Sequence, residues 1–186
     1  MKVIDVITSA LRLIGRGELI PYVADPSNAP YEDSDEVIES LLYCFNAVED
    51  ELAHKYIPLV ACEELTSSNN KFFYSDFANN PIKIKKVTAG NKAVPFKVIK
   101  GYMEVKADKI AVEYEYAPKC KNIAASSDYG DEVGEHLIAL GIASEYSVIN
   151  GEAEMADRWE QKYRERLDAL RRVLPVCASI PPRRWI

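Results

Sequence analysis

The sequence predicts an α+β fold, mainly an α-helical bundle of about four helices with an inserted small antiparallel β region and an extended C-terminal arm. Three observations lead to this prediction. Apolar residues recur at helical spacing near both ends of the 186-residue chain, short alternating segments fill its middle, and prolines and arginines are frequent in its last residues. Hydrophobic residues make up 48% of the chain, enough for a core without metal or disulfide support. We expect one domain over residues 1–173, followed by the arm at residues 174–186.

The first half of the predicted bundle consists of helices at about residues 2–15 and 35–56. Residues 17–34, which lie between them, contain three prolines and are predicted to form a loop. Both helices carry apolar stripes at a spacing of three and four residues, and Pro58 ends the second helix. The stripes consist of Val3, Ile4, Ile7, Leu11 and Ile14 in the first helix, and Ile38, Leu41, Phe45, Val48 and Leu52 in the second.

The middle of the chain, about residues 58–118, is predicted to be the β insert. Short segments there alternate apolar and polar residues, most clearly from Ile82 to Val87, and asparagine- and glycine-containing turns separate them. An alternating strand buries one face and exposes the other, as in antiparallel sheets. We therefore expect a small sheet that covers part of the bundle.

The second half of the bundle is predicted at about residues 131–150 and 152–173, with Gly151 as the break between the two helices. Apolar residues cover much of the circumference of the first of these helices, which is typical of a central core helix. The second alternates in charge opposite a stripe of Met155, Trp159, Tyr163, Leu167 and Leu170. We interpret its charged face as a solvated surface with ion pairs four residues apart.

No motif of a known catalytic, nucleotide-binding or metal-binding class occurs, so we expect no enzyme, no cofactor and no metal. The two histidines, His54 and His136, are predicted to lie at the surface or at helix ends. The spacing of the four cysteines excludes a zinc or redox motif, and we expect all four to be free buried thiols: Cys44, Cys62, Cys120 and Cys177. The chain contains no apolar run that approaches the ~18 residues of a membrane span, which predicts a soluble protein.

The net charge of −6 argues against a generally basic nucleic-acid binder, but it conceals a segregation of charge. Residues 17–54 contain ten acidic residues and no lysine or arginine, whereas residues 71–109 contain nine lysines and three acidic residues. This segregation is either chance clustering that favours solubility, or the mark of a subunit that docks on an identical neighbour. The residues expected at such a contact are Glu32, Asp33, Asp35 and Glu36 on the acidic side and Lys83, Lys85 and Lys86 on the basic side.

The C-terminal arm has the composition of a binding segment, because Trp and Arg are the residues that most often anchor interfaces. Its last residues are Ile180, Pro181, Pro182, Arg183, Arg184, Trp185 and Ile186. The alternative is a frayed terminus that folds over its own core. Extended at about 3.1 Å per residue, residues 174–186 would reach roughly 40 Å, enough to contact a partner.

Four stretches, taken in order, carry a resemblance to a known family. They are Val6–Gly15 with Gly17-Glu18; Leu42, Phe45, Asn46 and Leu52; the middle from Phe72 to Pro118; and Ala139–Tyr146 followed by Asn150–Tyr163. Together with the arginine- and proline-containing tail, this order resembles the head-to-tail connector proteins of tailed bacteriophages, also called adaptor or head-completion proteins. It is most similar to the podovirus-type tail tubular protein A family.

The resemblance implies a structural protein of the virion, made in the host cytoplasm and placed at the head–tail junction. Members of the family form rings, typically of twelve copies, that dock on the portal protein and offer a platform to the next tail component. Double-stranded DNA passes through such a ring without sequence readout, and no membrane is involved. By analogy, Ile180–Ile186 would contact the portal. Two alternatives remain open: a monomeric or dimeric protein-binding module that uses the acidic loop 17–34, and an enzyme whose site is assembled from scattered acids and one histidine.

Overall fold

The computed structural model describes residues 1–25, 27, 30–90 and 92–173, which form a helical unit and a two-sheet β unit. The helical unit begins with α1, a 3-10 turn at Gly17–Leu19 and the short helix α2, and α3 continues into a π-helical turn at Leu52–Tyr56. The α-helices are α1 (Val3–Leu13), α2 (Ile20–Ala24), α3 (Ser34–Glu51), α4 (Glu135–Ile149) and α5 (Ala153–Val173). The four long helices thus lie where the sequence predicts them, whereas α2 falls inside the predicted loop.

Helix α4 is the centre of the helical unit, as its apolar circumference predicts. It packs against α1, α3 and α5, and its side chains from Leu137 to Ser144 are buried. The absence of a side chain at Gly141 lets α4 approach α3 and α5 closely, because a Cβ atom there would lie 2.9 Å from Val48 Cγ1 and 3.2 Å from Tyr163 Cε2. The predicted stripes of α1 and α3 are buried or partly buried, whereas Met155 at the start of α5 is 37% exposed.

Seven strands form two antiparallel sheets between α3 and α4. The four-stranded sheet has the order β1-β7-β3-β4 and the three-stranded sheet the order β2-β6-β5. Two β-bulges in β3 shift its register against β7, between Pro81 and Lys83 and between Ile84 and Lys86. The strands are β1 (Leu59–Thr66), β2 (Lys71–Phe73), β3 (Pro81–Ala89), β4 (Lys92–Ala93), β5 (Phe96–Ile99), β6 (Tyr102–Val105) and β7 (Lys109–Tyr116).

The predicted fold class is wrong in treating the β region as a small insert in a helical bundle. The strands are a central part of an α+β fold, because the two sheets bury a core of their own. Phe72 and Met103 from the three-stranded sheet meet Val112 and Tyr114 from the four-stranded sheet, and all four are almost fully buried. Because each sheet buries the inner face of the other, the core of the β unit forms between the sheets, and the helices cover Leu59 at the start of β1.

The two cores meet at Tyr116, whose side chain packs against both of them. From Tyr116 the chain runs back along α3 before α4 begins. Asn46 holds this connection in place: its Oδ1 accepts a hydrogen bond from Lys121 N (2.7 Å) and its Nδ2 donates to Lys121 O (3.1 Å). Further along, Tyr129 donates to Ile57 O at 2.8 Å. These hydrogen bonds attach the connection to α3 at Lys121 and to Ile57, just before β1, at Tyr129.

Candidate protein-docking surfaces

The four acidic residues predicted at a subunit contact lie at the N-terminal end of α3, and all are exposed. Two of them have partners within the chain. Asp33 forms an ion pair with Arg16 (Nη2 to Oδ2, 3.3 Å), and Asp35 accepts a hydrogen bond from Tyr22, which raises the pKa of that tyrosine. Glu32 and Glu36 have no hydrogen bond or ion pair within the described residues. These two are therefore the acids that remain available to another molecule.

The three lysines predicted at the contact lie on β3, and the neighbouring strand β7 places glutamates opposite them. Lys83 pairs in register with Glu115, and Lys86 pairs with Glu113. The Lys85 Nζ atom is 3.6 Å from Glu115 Oε1. Cross-strand pairs of opposite charge stabilise the sheet itself. Lys85 is thus partly neutralised by an ion pair within the chain, and Lys83 and Lys86 each face a glutamate on the neighbouring strand.

The residues predicted to bind the portal, Ile180 to Ile186, lie outside the described residues. Their role stays a prediction from the sequence.

One exposed stripe of α3 escaped the sequence analysis. It consists of Glu36, Glu39, Tyr43, Ala47 and Asp50, and we call it the α3 stripe. The Tyr43 side chain is 69% exposed, and it borders a groove of about 310 Å³ that Pro118, Lys119 and Cys120 also line. An exposed tyrosine is typical of the centre of a protein-docking surface, and the carboxylates around it suit the polar rim of such a surface. The three- and four-residue spacing of these positions is present in the sequence, but polar residues at this spacing also occur on any solvent-exposed helix face.

A second surface lies at the end of the β unit that is farthest from the helices. It is a pocket of about 550 Å³, which we call the basic pocket, lined by Asn69, Asn70, Lys71, Pro95, Phe96, Lys97, Glu104, Val105 and Lys106. Phe96 at its wall is 36% exposed. Within the described residues, none of its three lysines forms an ion pair, although the Lys71 Nζ atom lies 5.2 Å from the centroid of the Tyr102 ring. Sequence reasoning missed this pocket because strand pairing assembles it.

The cysteines differ in part from the prediction that all are buried. Cys44 is fully buried, and this burial raises the pKa of its thiol to about 12, but Cys62 and Cys120 are exposed. All three are free thiols, and Cys177 lies outside the described residues. Among the described residues, no three His, Cys, Asp or Glu side chains are grouped so that they would hold a metal ion.

The histidines lie where the sequence predicts them. The Nδ1 atom of His54 lies 3.3 Å from Asp50 Oδ1 at the end of α3, and His136 is exposed near the start of α4. In the described part of the chain, the helices lack the combination of length and apolarity that crossing a membrane requires.

A buried carboxylate lies at the junction of the two units. Glu49 is 1% exposed, and its Oε1 accepts a hydrogen bond from Ser127. Its Oε2 has no hydrogen-bond donor among the described residues. Burial raises the pKa of Glu49, whereas the hydrogen bond from Ser127 and the charge of Lys121 oppose the rise. The neutral form of Glu49 therefore fits this site better than the charged form.

We expect the stability of the protein to fall as the pH rises through the raised pKa of Glu49. Between the ordinary value of 4.5 and that raised pKa, the folded state binds more protons at Glu49 than the unfolded state, so the free energy of unfolding decreases with pH. The Glu49→Gln variant should lose this decrease of the free energy of unfolding with pH, and it should be at least as stable as the parent at neutral pH. Urea unfolding from pH 4.5 to 8 measures it, with exposed Glu154→Gln on α5 as the matched control. An unchanged slope in Glu49→Gln would contradict the assignment.

Comparisons with known proteins leave the question of family open. No protein-family model matches the sequence, and no curated protein matches it. The fold and the surfaces define the class of the protein as an α+β protein with two candidate docking surfaces of opposite charge.

Proposed function

We propose that this chain is a non-catalytic subunit of the head-to-tail adaptor ring of a tailed bacteriophage. One observation supports the proposal most: a single chain carries the acidic α3 stripe on its helical unit and the basic pocket at the far end of its β unit. Complementary surfaces at two different places on one subunit give head-to-tail contacts, and such contacts close into rings when the rotation between neighbours allows it. The resemblance of the order of sequence segments to that of adaptor proteins points to the same function.

In this function the chain acts by binding. Helices α3, α4 and α5 form a rigid wedge, because α4 packs closely against both of its neighbours at Gly141. Opposite charges on adjoining copies select the orientation of neighbours in the ring. The C-terminal residues, among them Arg183, Arg184 and Trp185, dock on the assembled portal. The ring then extends the DNA channel and offers a platform to the next tail component, while DNA passes without base readout.

A second candidate is a non-catalytic monomeric or dimeric protein-binding module. The α3 stripe favours it, since an exposed tyrosine bordered by carboxylates suits a basic partner equally well. The two functions differ in whether the portal protein is the partner and whether many copies assemble on it.

We expect the protein to join the portal protein from the same genome in a large complex. Light scattering coupled to size-exclusion chromatography should give the mass of the protein alone, and then that of its mixture with portal rings. Several copies per ring that elute together with portal would support the adaptor function. A monomer or dimer that ignores portal at micromolar concentration would contradict it and favour the binding module.

A further inference from the structure

The α3 stripe and the basic pocket complement each other in charge and in shape. The stripe presents Glu36, Glu39 and Asp50 around Tyr43, and the pocket carries Lys71, Lys97 and Lys106 around a partly exposed phenylalanine. None of these lysines has an ion-pair partner in the described part of the chain. An exposed aromatic ring with carboxylates near it therefore matches a cavity with ammonium groups near it.

One copy of the chain cannot join its own two surfaces. Tyr43 lies beside Pro118 and Cys120, directly after the end of β7 that packs on the helices. The basic pocket lies at the opposite end of the same strands, where Val105 N donates to Asn70 O at 3.0 Å and Ser67 N donates to Asp108 O at 2.8 Å. Strands β1 and β7 each have eight residues, which span about 25 Å at ~3.3 Å per residue. Only a second copy can bring a Tyr43 to the pocket.

The chemistry of the pocket favours a protein side chain over a nucleic-acid phosphate. Glu104 lines the pocket and lies in register between Lys71 on β2 and Lys97 on β5. A carboxylate at this position repels a phosphate, whereas it accepts a hydrogen bond from a tyrosine hydroxyl. The net charge of −6 opposes binding of a polyanion in the same way.

We propose that Tyr43 of one copy inserts into the basic pocket of the next copy, with its hydroxyl directed at Glu104 and its flanking carboxylates paired with Lys71, Lys97 and Lys106. This inference rests on the proposed ring function and names the contact that holds the ring together. In this contact the lysines of the basic pocket form the basic side, and Lys83, Lys85 and Lys86 do not. The two surfaces are different patches of the chain, so the contact is heterologous and repeats from copy to copy.

Two complementary variants test the contact without the portal. One carries Tyr43→Ala and Glu39→Lys and keeps an intact pocket; the other carries Lys97→Glu and Lys106→Glu and keeps an intact stripe. We expect each alone to be monomeric and their mixture to form a 1:1 heterodimer that cannot grow further. Sedimentation velocity at low salt measures the mass of each variant and of the mixture. The protein concentration is raised to about 1 mM and no further, because association with a weaker dissociation constant would not be specific. The Asp157→Lys variant alters exposed charge on α5 and should associate as the parent does.

Single variants test the role of the tyrosine ring and its hydroxyl. Tyr43→Ala should weaken association at least about 30-fold, the loss typical of an interface hot spot. Tyr43→Phe and Glu104→Gln should each weaken association, and the double variant should be no weaker than the poorer single variant, because both changes remove the same hydrogen bond. Fully additive losses would overturn the assigned hydrogen bond.

The outcomes separate this contact from the ring function itself. A mixture that stays monomeric at about 1 mM overturns the contact, and it does so even if the parent protein still joins portal rings. A heterodimer supports the contact even if the protein ignores portal, in which case the ring function fails instead. Binding of a DNA oligonucleotide that Lys97→Glu abolishes and Tyr43→Ala preserves, with no heterodimer, would overturn the contact and assign the pocket to a polyanion.

Discussion

Replacing Gly141 by leucine is expected to destabilise the protein by at least about 4 kcal/mol, the range of severe core substitutions. A Cβ atom at this position would lie 2.9 and 3.1 Å from the two Cγ atoms of Val48 and 3.2 Å from Tyr163 Cε2. Both neighbours are almost fully buried, at 1% and 2% exposure, so neither side chain can turn toward solvent. The further atoms of leucine would push α4 away from α3 and α5 together. Urea unfolding followed by circular dichroism measures the loss of free energy.

The Gly141→Ala variant separates steric crowding from helix propensity. Overpacking costs typically 1–3 kcal/mol, and alanine recovers about 1 kcal/mol of helix propensity, so a smaller net loss is expected. Combining it with Val48→Ala should restore part of the stability, because the two side chains compete for the same space. Gly17→Ala is the matched control, since its added Cβ would meet no atom within 4 Å. Equal stability of the parent and Gly141→Leu would show that the helices are not closely packed here.

Deleting Ile180–Ile186 is expected to abolish attachment to the portal while the protein still folds, provided that the adaptor function is correct. In the described part of the chain, the buried residues that form the two cores lie between Val3 and Leu167, and the deletion leaves all of these in place. The deleted segment contains Trp185 and two arginines, the residue types whose loss most often costs an interface 2 kcal/mol or more. Losing all of them should weaken portal binding at least about 100-fold. Co-sedimentation with portal rings measures binding, and thermal unfolding checks the fold.

Substitutions within the same segment identify what the portal recognises. Trp185→Ala should reproduce most of the loss if an aromatic anchor dominates, whereas Arg183→Ala with Arg184→Ala should reduce binding most strongly at low salt if charge dominates. Asp157→Lys on α5 is the control for a change in surface charge that leaves the segment intact. A truncated protein that joins portal rings normally would refute the role given to the arm.

The sequence was sufficient to locate the long helices. The apolar spacing of residues such as Leu41, Phe45 and Val48 reports one buried face directly, because helical periodicity is a local property of the chain. The consecutive acids at the end of α3 illustrate the limit of this reasoning. Helix geometry places consecutive residues on different sides of α3, yet only the fold shows that Glu49 is buried against Ser127 while Glu51 pairs with Lys55 at 3.0 Å.

The extent and the separate core of the β unit were not predictable from the sequence, for a similar reason. The strands themselves were visible as short alternating segments, but their arrangement into two facing sheets depends on pairings between distant residues, such as Leu59 with Tyr116. A strand that alternates apolar and polar residues packs equally well on a helix or on another sheet. The sequence therefore indicated that one face of each strand is buried, without indicating what covers it.

The positions of the long helices, the presence of strands and the separation of acidic from basic segments are readable from the sequence, because each of these follows from neighbouring residues. The remaining features arise only when the chain folds. The tertiary structure gives the strands a core of their own, partly neutralises Lys85 of β3 with a glutamate of β7, and gathers three other lysines around a pocket. Side chains far apart in the chain become neighbours only when the sheets pair, and the net charge that a surface presents depends on those neighbours.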